Sequence, residues 1–541
     1  MLTDNWCMRL HVCGWLTLWA ASAAGGDWPQ WGGSSARCMA SPETRLPAAF
    51  EPGKKRADGS GIDPATTRNV RWAVKLGTEN YSSPVVAQGR VLIGTNDAGL
   101  SDPRLQTTEG GRLWCFDEAT GRLLWQLVAP KLEVDRGKVS GDFDAMDLGI
   151  CGTATIADDR VYVVTNRCEA LCLDLAGMAN GNDGPFQDEG QFCVSAGRPP
   201  AEPGPRDADI LWRFDMLREL PVFPHDATNC APLVHGDYVY VGTGNGVSDG
   251  KIILPKAASL IALDKRTGRL AARDDEQISS AVFHGQWSSP SLAVAAGQAM
   301  VVYGGGDGVC HGFAPLADGA AAGPVATLKR LWSFDANPPD YRFRDGQPIN
   351  YWSGDRRKSG ANRNDGQYVG PSEIIGTPVF AEGRVYVAIG QDPLHGRGRG
   401  ALWCIDPKRR GDISRSGCVW SYTGIERSLS TVAVAGGLVF APDFSGKLHC
   451  LDAATGQVCW VEDLRSEIWS SPLVADGKVY LGTRKGLCVL AAARQARRLA
   501  EVRLGSPVWS APAAANGTLF VASQKYLWAV CEKREMPPAT P

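Results

Sequence analysis

One two-strand pattern recurs eight times along this chain of 541 residues, and recurrence on that scale restricts the fold more than composition does. It consists of a Ser/Thr/Gly pair, a Pro or small residue, an apolar run, a tight turn and a second run rich in Val and Tyr. It reads SSPVVAQGRVLIGT from Ser82, GTATIADDRVYVVT from Gly152, CAPLVHGDYVYVGT from Cys230 and SSPSLAVAAGQAMVVY from Ser288. It continues as GTPVFAEGRVYVAI from Gly376, STVAVAGGLVFAP from Ser430, SSPLVADGKVYLGT from Ser470 and SAPAAANGTLFVAS from Ser510. The last three begin 40 residues apart, while insertions space the earlier ones more widely.

A second hairpin follows each pattern, as in LWCFDEATGRLLW from Leu113, LIALDKRTGRL from Leu260 and LHCLDAATGQVCW from Leu448. Alternating apolar and polar positions predict half-buried strands. The Asp ends the third strand and can bond the turn backbone, and the Gly provides the positive φ of a short hairpin with a bulge. The recurrent Trp, at Trp125, Trp420 and Trp460, falls on the outer strand, where a large ring packs between neighbouring sheets. Units of about 40 residues with four strands, none able to bury both faces alone, predict an all-β, eight-bladed β-propeller. The eighth unit stops after three strands near Tyr526, and NVRWAVKLG from Asn69 offers the missing outer strand with Trp72. The N- and C-terminal strands together would close the last blade and leave no free sheet edge.

The A-x-D-x-x-T-G-x-x-x-W hairpin is similar to the repeat of pyrroloquinoline-quinone (PQQ) dehydrogenase propellers. It is equally similar to that of the eight-bladed lipoprotein of the outer-membrane β-barrel assembly machinery, which holds no quinone. DWPQWGG at Asp27, NGNDGPF at Asn180, HGQWSSP at His284 and GQDPLHG at Gly390 resemble the exported quinoprotein-like propellers of planctomycete-type bacteria. The resemblance implies an eight-bladed quinoprotein-like propeller over 66–533, after an N-terminal extension over 25–65 and before a tail over 534–541. It implies an exported compartment but no particular reaction.

Arg9, the apolar run from Leu10 to about Ala20, and Ala21, Ser22, Ala23 and Ala24 have the order of a secretory signal over 1–24. The run is shorter than the ~20 residues a spanning helix needs, so a periplasmic or secreted protein without a membrane span is expected. Lys and Arg number 56 against 58 Asp and Glu, with no long single-sign run, which gives no pull on nucleic acid.

Cys450 and Cys459 lie on the two arms of one hairpin, directly opposite if Ala453 to Gly456 form the loop, and Cys404 and Cys418 take the corresponding places one unit earlier. Neither pair has C-x-x-C spacing, so these are scaffold thiols or cross-strand disulfides.

The loop after the second strand of each unit carries a polar residue: Asn96, Asn166, Asn245, Asp307, Asp392, Asp443, Arg484 and Gln524. Asn and Asp make good turns, but such loops gather around a propeller axis and define a candidate ligand funnel. HGQWSSP adds His284, a candidate acid, base or ligand, and Trp287, a candidate stacking surface. No His-x-x-x-His pair points to zinc. The dehydrogenase resemblance implies an adjacent Cys-Cys ring, a carboxylate base and a calcium or lanthanide site. The chain has no Cys-Cys dipeptide, and neither base nor metal ligands can be mapped onto it. No catalytic residue, resident metal or cofactor is therefore expected. The expected function is non-enzymatic binding of a protein or polysaccharide at the loop-decorated face, with specificity in the insertions Val134–Ile150, Ala176–Asp209 and Pro338–Ile375. The alternative is a PQQ- and calcium-dependent alcohol or sugar dehydrogenase with its cofactor in the funnel.

Overall fold

The alternating runs fold as that pattern demands. In the computed structural model, which describes residues 26–133, 135, 137–319, 323–354, 356–357, 371–391 and 398–532, they form eight antiparallel sheets arranged as blades. The segments proposed as signal and tail lie outside the described residues. Blade 1 runs outward from the axis through Val85–Ala87, Arg90–Asn96, Gly111–Asp117 and Leu123–Ala129. The inner strands of blades 2 to 8 are Thr155–Ala157, Leu233–His235, Ser291–Ala295, Val379–Ala381, Ala433–Ala435, Leu473–Ala475 and Ala513–Ala515. Blade 8 takes its outer strand from the other end of the chain. Val70–Lys75 pairs antiparallel with Tyr526–Val530, closing the ring. Blades 3 and 4 each gain a short fifth strand, Ala326–Thr327 and Gly411–Asp412, added in parallel.

The repeated side chains make the seams between blades. Trp72, Trp125, Trp212, Trp420 and Trp460 each donate their indole N–H to a carbonyl of the next blade, at Glu118, Leu175, Lys265, Ala453 and Ala493. The turn glycine of the next blade lies under the ring. A Cβ on Gly121 would stand 2.7 Å from the Trp72 ring, and one on Gly456 2.6 Å from Trp420. Both glycines also hold φ near +70°, the left-handed region that favours Gly. One motif thus sets the turn and seats the ring of the blade before it.

The Ser/Thr pair at the start of each inner strand does the same near the axis. Thr377 N–H donates to Thr431 Oγ1, Thr431 N–H to Ser471 Oγ, Ala511 N–H to Ser83 Oγ and Ser83 N–H to Thr153 Oγ1, at 2.9 to 3.0 Å. One residue earlier, Ser82, Ser288, Ser430 and Ser470 donate to carbonyls of the following blade at Gly152, Gly376, Ser470 and Ser510. Two belts of hydrogen bonds follow from a dipeptide.

The cysteine register differs from direct opposition. Cys450 pairs with Trp460 and Leu451 with Val458, and the ladder shifts by one residue between them, where Cys459 falls. Cys404 likewise pairs with Trp420, and Cys115 with Trp125, across the same bulge. The extra residue needed after the left-handed Gly causes the shift. Cys404, Cys418, Cys450 and Cys459 are all free thiols.

The stretch before blade 1 is woven into the ring. Residues 28–43 run along the inner strands: Trp28 exchanges two hydrogen bonds with Val86, and the carbonyls of Pro29, Ser35, Ala36, Cys38 and Met39 accept from Ile156, Leu292, Phe380, Val434 and Val474. Ser41 Oγ donates to Ala514 O, and Glu43 accepts from Gly517 N–H. Arg37, fully buried, reaches blades 3 and 4 by donating to the carbonyls of Ala231, Pro232 and Pro290, and to Trp31 O. Edge groups that would otherwise face an open axial channel are satisfied by this one segment.

Candidate functional site

Closing the channel from one side turns it into a pocket. It encloses about 300 Å³ on the axis, and Trp31 of the threaded segment lines its closed end. Its wall repeats the chain's own repeat. Ser83, Thr153, Ser289, Thr377, Thr431 and Ser471 contribute hydroxyls, and the residue two positions earlier in each unit contributes a larger side chain. Four of these are aromatic: Tyr81, Trp287, Trp469 and Trp509. Trp469, Trp509 and Tyr81 precede the consecutive blades 7, 8 and 1, and Trp469 touches both of the others, with centroids 6.1 Å from Tyr81 and 5.3 Å from Trp509. Trp287 precedes blade 4, which an eight-fold ring sets opposite blade 8 and Trp509.

The polar groups of the wall are mostly donors. Ser83, Thr153, Ser289, Thr431 and Ser471 use an oxygen lone pair to accept a backbone N–H from the neighbouring blade, which leaves each hydroxyl proton for another acceptor. The indole nitrogens of Trp31 and Trp469 are buried and have no hydrogen-bond partner among the described residues. Among the described lining residues Asp226 is the one acidic or basic side chain. Cys151 lines the wall too, but burial pushes its thiol up to about 12, so it is not a nucleophile at neutral pH.

The residues singled out from the sequence fall into two groups. Trp287 lies in the pocket wall, its indole N–H held by Ala227 O at 2.9 Å. His284 lies behind it, the two rings edge-on at 5.1 Å. The loop residues bond within their own loops or to the segments beside them. Asn96 accepts from Thr78 N–H, Asn166 donates to Asp144, and Asn245 accepts from Phe223 N–H. Asp307 accepts from Val309 N–H, Asp443 accepts from Ser445 and sits 2.9 Å from His449 Nε2, and Gln524 accepts from Asn80 N–H. Arg484 forms an exposed ion pair with Glu467 at 2.9 Å. None of these seven is in the pocket wall, and Asp392 lies outside the described residues. The turn propensity of Asn and Asp accounts for their recurrence. The sequence reading named Trp287 but passed over the recurrence of its position: W-S-S-P at Trp287 and Trp469 and W-S-A-P at Trp509 place the ring two residues before Ser289, Ser471 and Ala511.

Two of the three insertions reach the mouth. Met146 and Leu148 come from the first, and Ile375 is the last residue of the third. The second, 176–209, packs instead on the outer side of blades 1 and 2, where Asp207 pairs with Arg104 at 2.7 Å and bridges Gln126.

The family model described as outer membrane protein assembly factor BamB matches residues 61–177 and 397–533, the first and last parts of the ring. Among solved structures, a europium-containing methanol dehydrogenase superposes with a TM-score of 0.54 at 13% identity, over 92% of this chain and 89% of that one. BamB from Moraxella catarrhalis gives 0.49 at 13% identity, over 86% of this chain and 98% of that one. The propeller fold is shared with the methanol dehydrogenase. No curated protein matches the chain in sequence.

Proposed function

We propose that this chain is an exported, non-enzymatic binding propeller that takes one sugar ring of a neutral polysaccharide into its axial pocket. The observation that carries the reading is the composition of the wall: a cluster of three aromatic rings with Trp287 on a fourth blade, and a belt of hydroxyl groups between them. A pyranose offers apolar C–H faces that stack on such rings and a rim of hydroxyl acceptors for such donors. A buried anionic quinone, by contrast, needs basic neighbours. Arg37, which is bonded to the lining residues Trp31 and Ala231, already donates to four main-chain carbonyls. The matching family's description as an assembly factor is compatible with a protein that binds rather than converts, and leaves the outer faces for a protein partner. Export rests on the sequence signal; no helix of the described residues is long and apolar enough to cross a membrane.

Titration of the full mature chain with neutral oligosaccharides, followed by calorimetry and tryptophan fluorescence, tests the proposal. Binding should quench fluorescence, and Trp469→Ala should weaken it roughly two- to tenfold, the worth of one aromatic stack of about 0.5–1.5 kcal/mol. Submicromolar affinity for PQQ with calcium, accompanied by dye reduction with an alcohol or aldose, would replace this reading by the dehydrogenase one.

A further inference from the structure

Two segments distant in sequence meet at the pocket's edge. The stretch before blade 3, around 223–228, and the stretch before blade 4, around 283–287, are joined by the loop of blade 3 at Asn245–Val247. Asn245 Oδ1 accepts from Phe223 N–H at 2.8 Å, Asn245 O accepts from Gln286 Nε2 at 3.0 Å, and Val247 N–H donates to His284 O at 3.0 Å. Gly246 lies between the two stretches. A Cβ there would stand 2.8 Å from both His225 Cβ and His284 O, so any other residue would force them apart.

The contact brings together two imidazoles and a carboxylate. His225 Nε2 and His284 Nε2 face each other at 2.8 Å, and both rings are more than nine-tenths buried. Asp226 turns its oxygens to the same place, 3.4 Å from His225 Nε2 and 3.9 Å from His284 Nε2. It does so from a left-handed backbone conformation, φ 55°, which is strained for a non-glycine residue.

We propose that His225, Asp226 and His284 bind one divalent first-row transition cation, of the zinc class, in the wall of the axial pocket. Two nitrogens on one ion at about 2.0–2.1 Å lie roughly 2.9 Å apart at a right angle and roughly 3.4 Å apart at the tetrahedral angle. The 2.8 and 3.4 Å separations match these values, and the 3.9 Å one corresponds to a wider angle of roughly 140°. Imidazole with carboxylate is the donor set that selects zinc, iron, cobalt or nickel over calcium or magnesium, which take oxygen ligands. Asp226 itself lines the pocket. An ion held by three protein groups keeps a position for water or a ligand oxygen, so the ion would stand beside whatever the pocket binds. The proposal does not depend on the sugar reading.

The test uses the full mature chain, stripped with chelator, dialysed and titrated with Zn²⁺ and with Co²⁺. One equivalent should bind, with visible d–d bands for Co²⁺ and an X-ray absorption spectrum of the zinc form showing two imidazole ligands. His225→Gln and His284→Gln should each weaken binding at least roughly tenfold, while His235→Gln, outside the cluster, leaves it unchanged. The spectra come from the unsubstituted chain, so they decide even if a variant misfolds. Less than one equivalent bound, or a spectrum without imidazole, would reduce the cluster to a hydrogen-bonded histidine pair and end the proposal.

Discussion

At the scale of single residues, the chain puts acids where water cannot reach them. Asp144, in the first insertion, is 6% exposed, and burial pushes its carboxyl up to about 7, with Asp147 and Asp97 adding to the rise against Asn166 and Lys131. A carboxyl in the unfolded chain titrates near 3.9. The folded state therefore holds its proton more tightly, and the stability this contributes is fully present below about pH 4 and lost as pH rises through about 7. Glu169, also raised to about 7, and Asp209, raised to about 6, act in the same direction. Asp144→Asn keeps the oxygen that accepts from Asn166, so it should flatten the fall in Tm between pH 4 and 8, as read by calorimetry. An unchanged pH profile would show that Asp144 is ionised in the fold. At Cys450 and Cys459 the fold places thiols on a bulged hairpin away from the pocket. Their joint replacement by Ala and Val should change Tm by a few degrees and leave ligand titrations unchanged. The TG hairpin and its Trp were legible in the sequence because each is a local requirement repeated in every blade. The His225–Asp226–His284 cluster was not, because its members come from segments 59 residues apart that only blade closure brings together.

At the scale of elements, the segment over 28–43 changes the character of the ring. It has few residues with strand propensity and no periodicity, so the sequence offered only the word extension for it. Its order comes from the inner strand edges, which leave backbone groups for whatever lies along the axis. Arg37 is the centre of this arrangement, a buried cation whose partners among described residues are carbonyls and not carboxylates, and burial lowers its pKa to about 10. Arg37→Ala would leave those carbonyls unpaired around a cavity and should cost roughly 2–5 kcal/mol. A chain lacking 26–43 should lose the closed end of the pocket along with Trp31. If it keeps blade-like circular dichroism, its affinity for the pocket ligand should still fall at least tenfold. Equal affinity in the truncated chain would place the ligand outside the axial pocket.

At the scale of the whole molecule, what distinguishes this ring from an open solenoid is that one blade belongs to both ends of the chain. Blade 8 has three strands from the C-terminal part and one, Val70–Lys75, from the N-terminal part. Trp72 on that strand docks on Glu118 of blade 1, so the same element finishes blade 8 and starts the next seam. This much was legible beforehand, because a unit one strand short and a strand without a unit fit together only one way. Losing it would expose the edge of Tyr526–Val530, an apolar strand buried along its length and thus a template for pairing with another copy. Replacing Val70–Lys75 by a Gly-Ser stretch of equal length keeps the connection to the threaded segment but removes the ladder and the burial of Val70 and Trp72. Those two side chains alone should contribute about 3–6 kcal/mol. The variant should melt earlier in calorimetry and elute as oligomers in size-exclusion chromatography, with edge-to-edge pairing as the cause. A monomer of unchanged Tm would mean that the ring holds together through its seams alone, and that blade 8 needs no fourth strand.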